Sequence, residues 1–354
     1  MPAHARLVPG LTDLEQEFAQ AARARGGGVE RHLSIWGMPV RLRFASDSTA
    51  DVLGRAFEHL ERDKESSPAL TLHVWDAATT RTGRPAFAPP SAGPEDRDPS
   101  AAGASYFFES AEYRALHQPA SDSLSVLARA GDMGWFWVPD ARELPYWDYT
   151  APFRHLLAWW LSRRGCRLVH AAAVGDDRGG VLLVGRGGSG KSTASLSVLF
   201  DDRLRFAGDD YVAVGAGDDH VRAHSLYSFA KLHWRDLARL PQLASAISNG
   251  GRRDEKAVFH VYANFPDRCT NGFPLRAVVV PRVKGGATRV GSSNHAKAVA
   301  ALAPSTIFQI YPPAPDALAQ IAGIVRALPT FSLELGADVE AIPSELLRLI
   351  EGLA

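Results

Sequence analysis

The sequence predicts an α/β fold with a P-loop core, preceded by a small α+β module. An apolar run, Val181–Val184, leads into a glycine-rich turn and then into a helical pattern, which is the order of a strand, a phosphate loop and a helix. From residue 152 onward, apolar strands and amphipathic helices follow each other. This order is typical of a sheet with helices packed on it.

The composition excludes several classes of protein. Lys plus Arg and Asp plus Glu both total 39 of the 354 residues, so no overall charge attracts nucleic acid or an anionic membrane, and we expect neither as a partner. Cys166 and Cys269 are too few for a disulfide framework or a C-x-x-C metal site. The first residues lack the apolar core of a signal peptide, and no apolar run approaches the about 18 residues of a membrane span. We therefore expect a cytoplasmic protein.

The part of the chain before residue 146 predicts two segments. Residues 1–28 end in three glycines, which indicates a flexible leader with a short helix around Leu14–Ala22. Residues 29–145 predict the α+β module, with a helix over Val52–Leu60 and a loose loop at 77–104, where Ala, Pro, Gly and Ser accumulate. The predicted strands of the module are 32–37, 40–44, 70–75, 106–116, 123–130 and 134–139.

Residues 146–354 predict the nucleotide-binding domain. It begins with a helix near Phe153–Leu161, which leads to an apolar strand over Leu168–Val174. The Val181–Val184 strand and the glycine-rich turn follow. Further downstream, residues 277–281 indicate another buried strand, and residues 315–328 and 343–353 have the spacing of amphipathic helices.

The turn Gly185–Ser192 fits the pattern G-x-x-x-x-G-K-[ST] without a mismatch. Glycines let successive backbone N–H groups close around a polyphosphate, and the helix that follows favours negative charge at its start. Lys191 is expected to reach the β- and γ-phosphates, and Ser192 to offer its hydroxyl to Mg²⁺. The residues expected to hold the nucleotide are Gly185, Gly187, Gly188, Ser189, Gly190, Lys191, Ser192 and Thr193.

The same glycines also match the dinucleotide pattern G-x-G-x-x-G, with Asp209 or Asp210 at the distance of a ribose-binding carboxylate. Lys191 and Ser192 favour the phosphate loop, because a dinucleotide site needs neither a cation nor a magnesium ligand at those positions. A nicotinamide or flavin site is the less favoured alternative.

Three further residues complete the candidate chemistry. Asp209 and Asp210 end a predicted strand one helix after Lys191, so one carboxylate can serve a metal ion while the other faces a phosphate acceptor. His170 lies on the strand before the phosphate loop and can orient one of these carboxylates. A lone histidine on an apolar strand is, alternatively, a core residue.

The segments His170–Val174, Gly180–Thr193 and Phe206–Tyr211 together resemble the catalytic core of the HPr serine kinase/phosphorylase family. In that family a histidine strand, a phosphate loop and an Ala-Asp-Asp segment come in this order at nearly this spacing. The similarity is greatest to HPr-kinase-like proteins of biosynthetic gene clusters, some of which phosphorylate precursor peptides such as those of lasso peptides. The resemblance implies the P-loop fold that this family shares with phosphoenolpyruvate carboxykinase.

The resemblance also implies roles for the individual residues. Asp209 corresponds to the base toward the acceptor hydroxyl, and His170 to its partner. Lys191 corresponds to the phosphate clamp, and Ser192 with Asp210 to the magnesium side. The spacing from Lys191 to Asp209 is one residue longer than in the family, so either Asp209 or Asp210 remains a candidate for the base.

The expected function is therefore that of an ATP- and Mg²⁺-dependent kinase, whose acceptor is a serine hydroxyl of a protein or ribosomal precursor peptide. The N-terminal module is expected to help recognise that acceptor or to pair with another subunit in a homo-oligomer. Two alternatives remain open, namely a nucleotide-binding regulator or scaffold without catalysis, and a kinase that acts on a small molecule.

Overall fold

The computed structural model describes residues 10–65, 67–86, 105–217, 219–250 and 252–353. These residues form a mixed α/β fold with several sheets, as the sequence predicts at the level of fold class. The chain divides into two compact units. The first comprises Met1–Arg55 and Glu61–Trp160, and the second comprises Ala56–Leu60 and Leu161–Ala354. Among the helices of the described part, none is long and apolar enough to cross a membrane.

The first unit contains a seven-stranded sheet within its described residues, in the order β1-β2-β3-β7-β6-β5-β4. The strands β2, β3 and β7 run parallel to one another, and the other neighbours are antiparallel. The elements of this unit are α1 (Leu11–Arg23), β1 (Val29–Ile35), β2 (Met38–Phe44), α2 (Asp47–Leu53), β3 (Leu70–Asp76), α3 (Ala77–Thr80), β4 (Tyr106–Glu109), β5 (Tyr113–Gln118), β6 (Ser123–Ala128), β7 (Met133–Val138), α4 (Tyr146–Tyr149) and α5 (Arg154–Ser162), within which the unit ends.

Three parts of this unit differ from the sequence-based expectation. Residues 11–23 form α1, which is longer than the short helix expected around residues 14–22 and is packed on the sheet instead of belonging to a flexible leader, because Leu14 and Phe18 recur at helical spacing and are buried. The strand expected over 106–116 is divided by a turn into β4 and β5. Of the loop expected at 77–104, residues 77–80 form α3, while 87–104 lie outside the described residues, as do residues 1–9 of the leader.

The second unit contains a nine-stranded sheet, again within its described residues. Its main path is β11-β9-β10-β16-β13-β12-β8, and β18 and β17 extend it from β16. The elements are β8 (Cys166–Val169), β9 (Ala172–Asp176), β10 (Gly179–Leu183), α6 (Lys191–Ser197), β11 (Arg205–Gly208), β12 (Val212–Ala216), β13 (Val221–His224), β14 (Phe229–Leu232), β15 (Ala257–His260), α7 (Val261–Asn264), β16 (Gly272–Val283), β17 (Arg289–Ser292), α8 (His295–Ile307), α9 (Ala317–Arg326), β18 (Thr330–Leu335) and α10 (Ala341–Glu351).

The sheet of the second unit is buried on both faces. Val181 and Leu183 of β10 belong to an apolar cluster with α6 and α10, whereas Leu182 belongs to a cluster with α8 and α9. Successive residues of a strand point to opposite faces, so a strand covered on both sides must be apolar throughout. This explains the uninterrupted apolar run before the glycine-rich turn.

One short segment belongs to the second unit although first-unit residues flank it in the sequence. Ala56–Leu60 forms part of a 3₁₀ helix, and Phe57 in it is fully buried. The carbonyl oxygen of Ala56 accepts a hydrogen bond of 2.9 Å from the backbone N–H of Ser228, and the rings of Phe57 and Tyr227 lie 5.5 Å apart. The segment is thus part of the second unit's packing.

His73 makes the stability of the first unit depend on pH. Its ring lies 4.6 Å from that of Phe18 and 5.7 Å from that of Trp135, and the Arg43 guanidinium approaches Nε2 to 3.3 Å. Burial, aided by the charges of Arg43 and Arg41 and opposed by the Gly134 backbone, lowers the pKa of His73 from 6.5 to about 4. The fold therefore holds a neutral imidazole.

We expect acid to weaken the first unit. Between pH 6.5 and about 4 the unfolded chain binds a proton at His73 that the folded unit does not bind. As the pH is lowered through this range, the free energy of unfolding therefore decreases, by about 3 kcal/mol at most. Urea unfolding followed by tryptophan fluorescence measures this, because seven of the eight tryptophans lie in this unit. His73→Gln should flatten the dependence. Equal slopes for wild type and His73→Gln would contradict the assignment.

Candidate functional site

Two interruptions of the second unit's sheet create the site. The strand expected over 168–174 is broken at residues 170 and 171 into β8 and β9, and its neighbour is broken at residues 209–211 into β11 and β12. The registers pair Val169 with Val212 and Ala173 with Gly208, so the two breaks face each other. His170 and the Asp209–Asp210 pair are thereby brought together at strand ends.

Asp210 lies between two nitrogen donors. Its Oδ1 is 3.0 Å from Nε2 of His170, and its Oδ2 forms an ion pair with the ammonium of Lys231. Burial alone would raise the pKa of Asp210, but the charge of Lys231 and the hydrogen bond from His170 outweigh it and hold the pKa well below its ordinary value. An ionised carboxylate only accepts hydrogen bonds, so His170 donates through its Nε2–H.

Asp209 points away from this arrangement into the protein. It is 2% exposed, and its carboxylate accepts hydrogen bonds from the Ser195 hydroxyl at 2.7 Å and the Lys231 backbone N–H at 3.1 Å. Burial and then the neighbouring Asp210 charge raise its pKa, against the hydrogen bonds from Ser195, Lys231 and Ser192. The role of base toward an acceptor, with His170 as partner, therefore does not match Asp209, because His170 contacts Asp210.

Lys191 is the first residue of α6 and is folded back over the turn that precedes it. Its ammonium donates to the carbonyl oxygen of Gly185 at 2.5 Å and to that of Arg186 at 3.4 Å. Burial lowers the pKa of Lys191, while the charges of Asp209 and Asp210 oppose this shift. The side chain is 7% exposed and lies at the edge of a pocket.

The glycine-rich turn has a conformation that only glycine adopts easily at two positions. Gly188 has φ +78° and Gly190, which precedes α6, has φ +99°. A Cβ on Gly190 would also lie 2.2 Å from Cδ1 of Leu335. No side chain caps the start of α6, whose first residues line the pocket described below. The local backbone thus favours glycine at positions 188 and 190.

The pocket beside this turn has a volume of about 270 Å³. It is lined by most of the expected residues: His170, Gly187, Gly188, Gly190, Lys191, Ser192, Thr193 and Asp210. Gly185, Ser189 and Asp209 are not in this lining. Gly185 instead packs under Ser189, since a Cβ on it would lie 2.3 Å from Ser189 Oγ.

The positive charge of the pocket favours an anionic ligand. Six cationic side chains line it against two carboxylates, those of Asp210 and Asp236. Since Asp210 is already neutralised by Lys231, the remaining charge is strongly positive. A polyphosphate is the biological anion that best matches several cations and a run of backbone N–H groups. The cationic residues are Arg186, Lys191, Lys231, Arg235, Arg239 and Lys256.

Lys231 has a role that the sequence does not predict, since the sequence offers it only as one of four candidate cations, with Arg252, Arg253 and Lys256. It lies in β14 and is 6% exposed, its N–H binds Asp209 and its ammonium binds Asp210, so it holds both carboxylates. The only signal in the sequence is a single lysine within the apolar segment 226–232. A charged side chain in such a segment must find a partner, because an unpaired buried charge is costly.

The two expected magnesium ligands differ in their suitability. Ser192 lines the pocket, and its hydroxyl suits an ion that also binds phosphate oxygens. Both oxygens of Asp210 already face His170 and Lys231. Within the ranges that the structure describes, no group of three or more His, Cys, Asp or Glu side chains is arranged to hold a metal ion. The residues thus fit an ion that arrives with a phosphate ligand, held by Ser192 and not by Asp210.

Comparisons with known proteins find similar solved structures but show no family for this chain. No protein-family model matches the chain, and no curated protein matches it. Among solved structures, the HPr(Ser) kinase/phosphatase from Coxiella burnetii is similar over 53% of this chain and 93% of that one, with 13% sequence identity and a TM-score of 0.28. A similarity at this level assigns the chain to no family.

We expect Ser195 to stabilise the second unit through Asp209. Ser195→Ala leaves a buried carboxylate oxygen without one of its donors, so the free energy of unfolding should fall by about 1–3 kcal/mol. Hydrogen exchange of second-unit peptides in increasing urea measures this. Ser197→Ala is the matched control, because that hydroxyl donates only to a carbonyl oxygen within its own helix. An equal loss in both variants would rule out a special role of the Ser195–Asp209 bond.

Proposed function

We propose that this chain is a P-loop phosphotransferase that moves the γ-phosphoryl group of ATP onto a hydroxyl, specifically that of a serine in a protein or peptide. The observation that carries the proposal is the position of Asp210. It is an ionised carboxylate, fixed by His170 and Lys231, in the wall of a cationic pocket that the glycine-rich turn borders.

The pocket supplies what a triphosphate requires. Lys191 neutralises the β- and γ-phosphates, and the N–H groups of the turn and of the start of α6 bind the phosphate oxygens. Arg186, on the turn itself, adds a further cation at the pocket rim. Phosphoryl transfer leaves little covalent chemistry to the protein, so such positioning and charge neutralisation are the main requirements.

Asp210 orients and deprotonates the acceptor. The hydroxyl oxygen attacks the γ-phosphorus and forms the new P–O bond, the bond from this phosphorus to the β–γ bridging oxygen breaks, and ADP leaves. The hydroxyl proton passes to the Asp210 carboxylate. The low pKa keeps the Asp210 carboxylate ionised before the reaction, and in a loose transition state the hydroxyl gives up its proton only as its oxygen becomes bonded to phosphorus.

His170 and Lys231 position Asp210 for this step. Each holds one carboxylate oxygen, so the carboxyl group cannot rotate freely. Lys231 also compensates charge, since protonation of Asp210 releases the ammonium to face the new phosphate ester. Asp209 supports this arrangement without lining the pocket. Its carboxylate accepts hydrogen bonds from the Ser195 hydroxyl of α6 and the Lys231 backbone N–H of β14, and so holds both elements beside Asp210.

Magnesium enters this proposal only with the nucleotide. Ser192 would bind it, and the ion would neutralise charge on the phosphate oxygens. We place the reaction in the cytoplasm, where ATP and Mg²⁺ are available.

Asp210→Asn tests the proposed base. We expect transfer from ATP to serine peptides to fall by about 10²- to 10⁴-fold, while the affinity for ATP changes little, because the amide keeps the shape but cannot take the proton. Phosphopeptide mass spectrometry and fluorescence titration with an ATP analogue measure the two quantities. Asp236→Asn, at another wall of the same pocket, is the control and should retain transfer. Wild-type protein that binds ATP but phosphorylates no hydroxyl would instead favour a non-catalytic nucleotide-binding module.

Lys191→Met tests the phosphate contact. Loss of the ammonium should weaken ATP binding by about 10- to 100-fold, since a hydrogen bond to a charged group contributes about 1.5–3 kcal/mol. Isothermal titration calorimetry measures this, with AMP as a ligand that lacks both the β- and the γ-phosphate and whose affinity should change little. Lys297→Met, on the exposed side of α8, is the control. Unchanged ATP affinity in Lys191→Met would contradict the phosphate-loop assignment.

A further inference from the structure

The segment Phe308–Leu318, which joins α8 to α9, exposes large apolar side chains. Phe308 is 84% exposed, Leu318 55% and Tyr311 41%. Three prolines, Ile310 and two alanines occupy most of the positions between them, and Asp316 is the one charged residue of this stretch of sequence. Exposed apolar surface of this kind is unfavourable in water and commonly marks a site where another molecule binds.

Hydrogen bonds connect this segment and the end of α8 to two neighbours of Asp210, namely His170, which contacts its carboxylate, and Tyr211, which follows it in sequence. The backbone N–H of His170 donates to the Thr306 hydroxyl at 3.0 Å, at the end of α8. The Tyr211 hydroxyl donates to the side-chain carbonyl of Gln309, and the rings of Tyr211 and His170 lie 5.5 Å apart. A molecule bound to the segment therefore lies next to the candidate base.

The two sides of the site differ in chemistry. The pocket beyond Asp210 carries six cations, whereas the segment carries apolar side chains, and its one carboxylate, Asp316, is 3.6 Å from Arg167. The first surface suits a polyphosphate. The second suits a molecule that has apolar groups close to a hydroxyl, which describes a polypeptide with apolar residues beside a serine and does not describe a polar metabolite.

A second copy of this chain is a poorer occupant. The exposed parts of Phe308, Tyr311 and Leu318 total on the order of 400 Å², whereas a stable interface buries about 800 Å² on each partner. A short extended peptide needs less area, because its transfer reaction requires only transient binding.

We propose that Phe308–Leu318 is the docking segment for the acceptor polypeptide, which binds with an apolar side chain on Phe308 and Tyr311 and with its serine hydroxyl at Asp210. This inference rests on the proposed phosphotransferase function and names its acceptor class. It assigns acceptor specificity to a segment outside the nucleotide pocket.

The test uses the full chain, ATP with Mg²⁺, and a library of serine peptides in which each flanking position is varied in turn. Wild-type protein should prefer aromatic or aliphatic residues near the serine. The double variant Phe308→Ser, Tyr311→Ser should lose this preference and raise KM for the best peptide by about tenfold, as expected from losing about 1.4 kcal/mol of apolar contact. Its kcat and its affinity for ATP should be unchanged. Phe200→Ser, which removes another exposed ring of the second unit, is the matched control and should behave as wild type.

The outcomes separate the two proposals. If wild-type protein phosphorylates peptides and the double variant has the same KM and sequence preference, the docking segment is wrong and the kinase proposal stands. Phosphorylation of small hydroxyl compounds in preference to every peptide overturns the docking segment and the serine acceptor of the proposed function, and leaves only phosphoryl transfer from ATP standing. If the wild type transfers phosphate to no hydroxyl, the proposed function fails and the inference fails with it. Analytical ultracentrifugation adds one further check: a dimer that becomes a monomer in the double variant would show that a second copy covers the segment.

Discussion

The candidate site depends on one ion pair, that between Asp210 and Lys231. A lysine ammonium that is 6% exposed requires a negative partner, and Asp210 provides it at the end of β11. Because the Lys231 backbone also binds Asp209, the same residue fixes both carboxylates and decides which of them faces the pocket. The paired breaks in β8–β9 and β11–β12 make room for this arrangement in a sheet that is otherwise buried on both faces.

Much of the site could be expected from local sequence. The apolar run before Gly185, the glycines and Lys191 are contiguous, and their pattern indicates one strand, one turn and one helix. The approach of His170 to the two aspartates was also a reasonable expectation, because both segments are strand ends next to this turn. In each case the informative residues lie on one element or on neighbouring strands.

The rest depends on contacts that are distant in sequence. The choice between Asp209 and Asp210 follows from the register of β11 and β12 against β9 and β8, and a shift by one residue would exchange the two side chains. Lys231 reaches them from β14, which pairs with β15 and not with the main sheet. The register has no local signal, and the lone lysine of the apolar segment 226–232 indicates only that Lys231 needs a partner, not which one. The sequence also indicates a short helix around residues 14–22 but not its packing, because the sheet that α1 covers is built from strands distant in sequence.

The chain's division into two units has a practical consequence for separating them. Ala56–Leu60 belongs to the second unit, with Phe57 fully buried there and Ala56 bonded to Ser228. An N-terminal truncation at residue 145 or 160 would therefore delete a piece of the remaining unit's own interior. Loss of activity in such a fragment would report incomplete folding and not a missing recognition module. Dissection of the two units requires either surface substitutions in the first unit or a fragment that retains residues 56–60 through a linker.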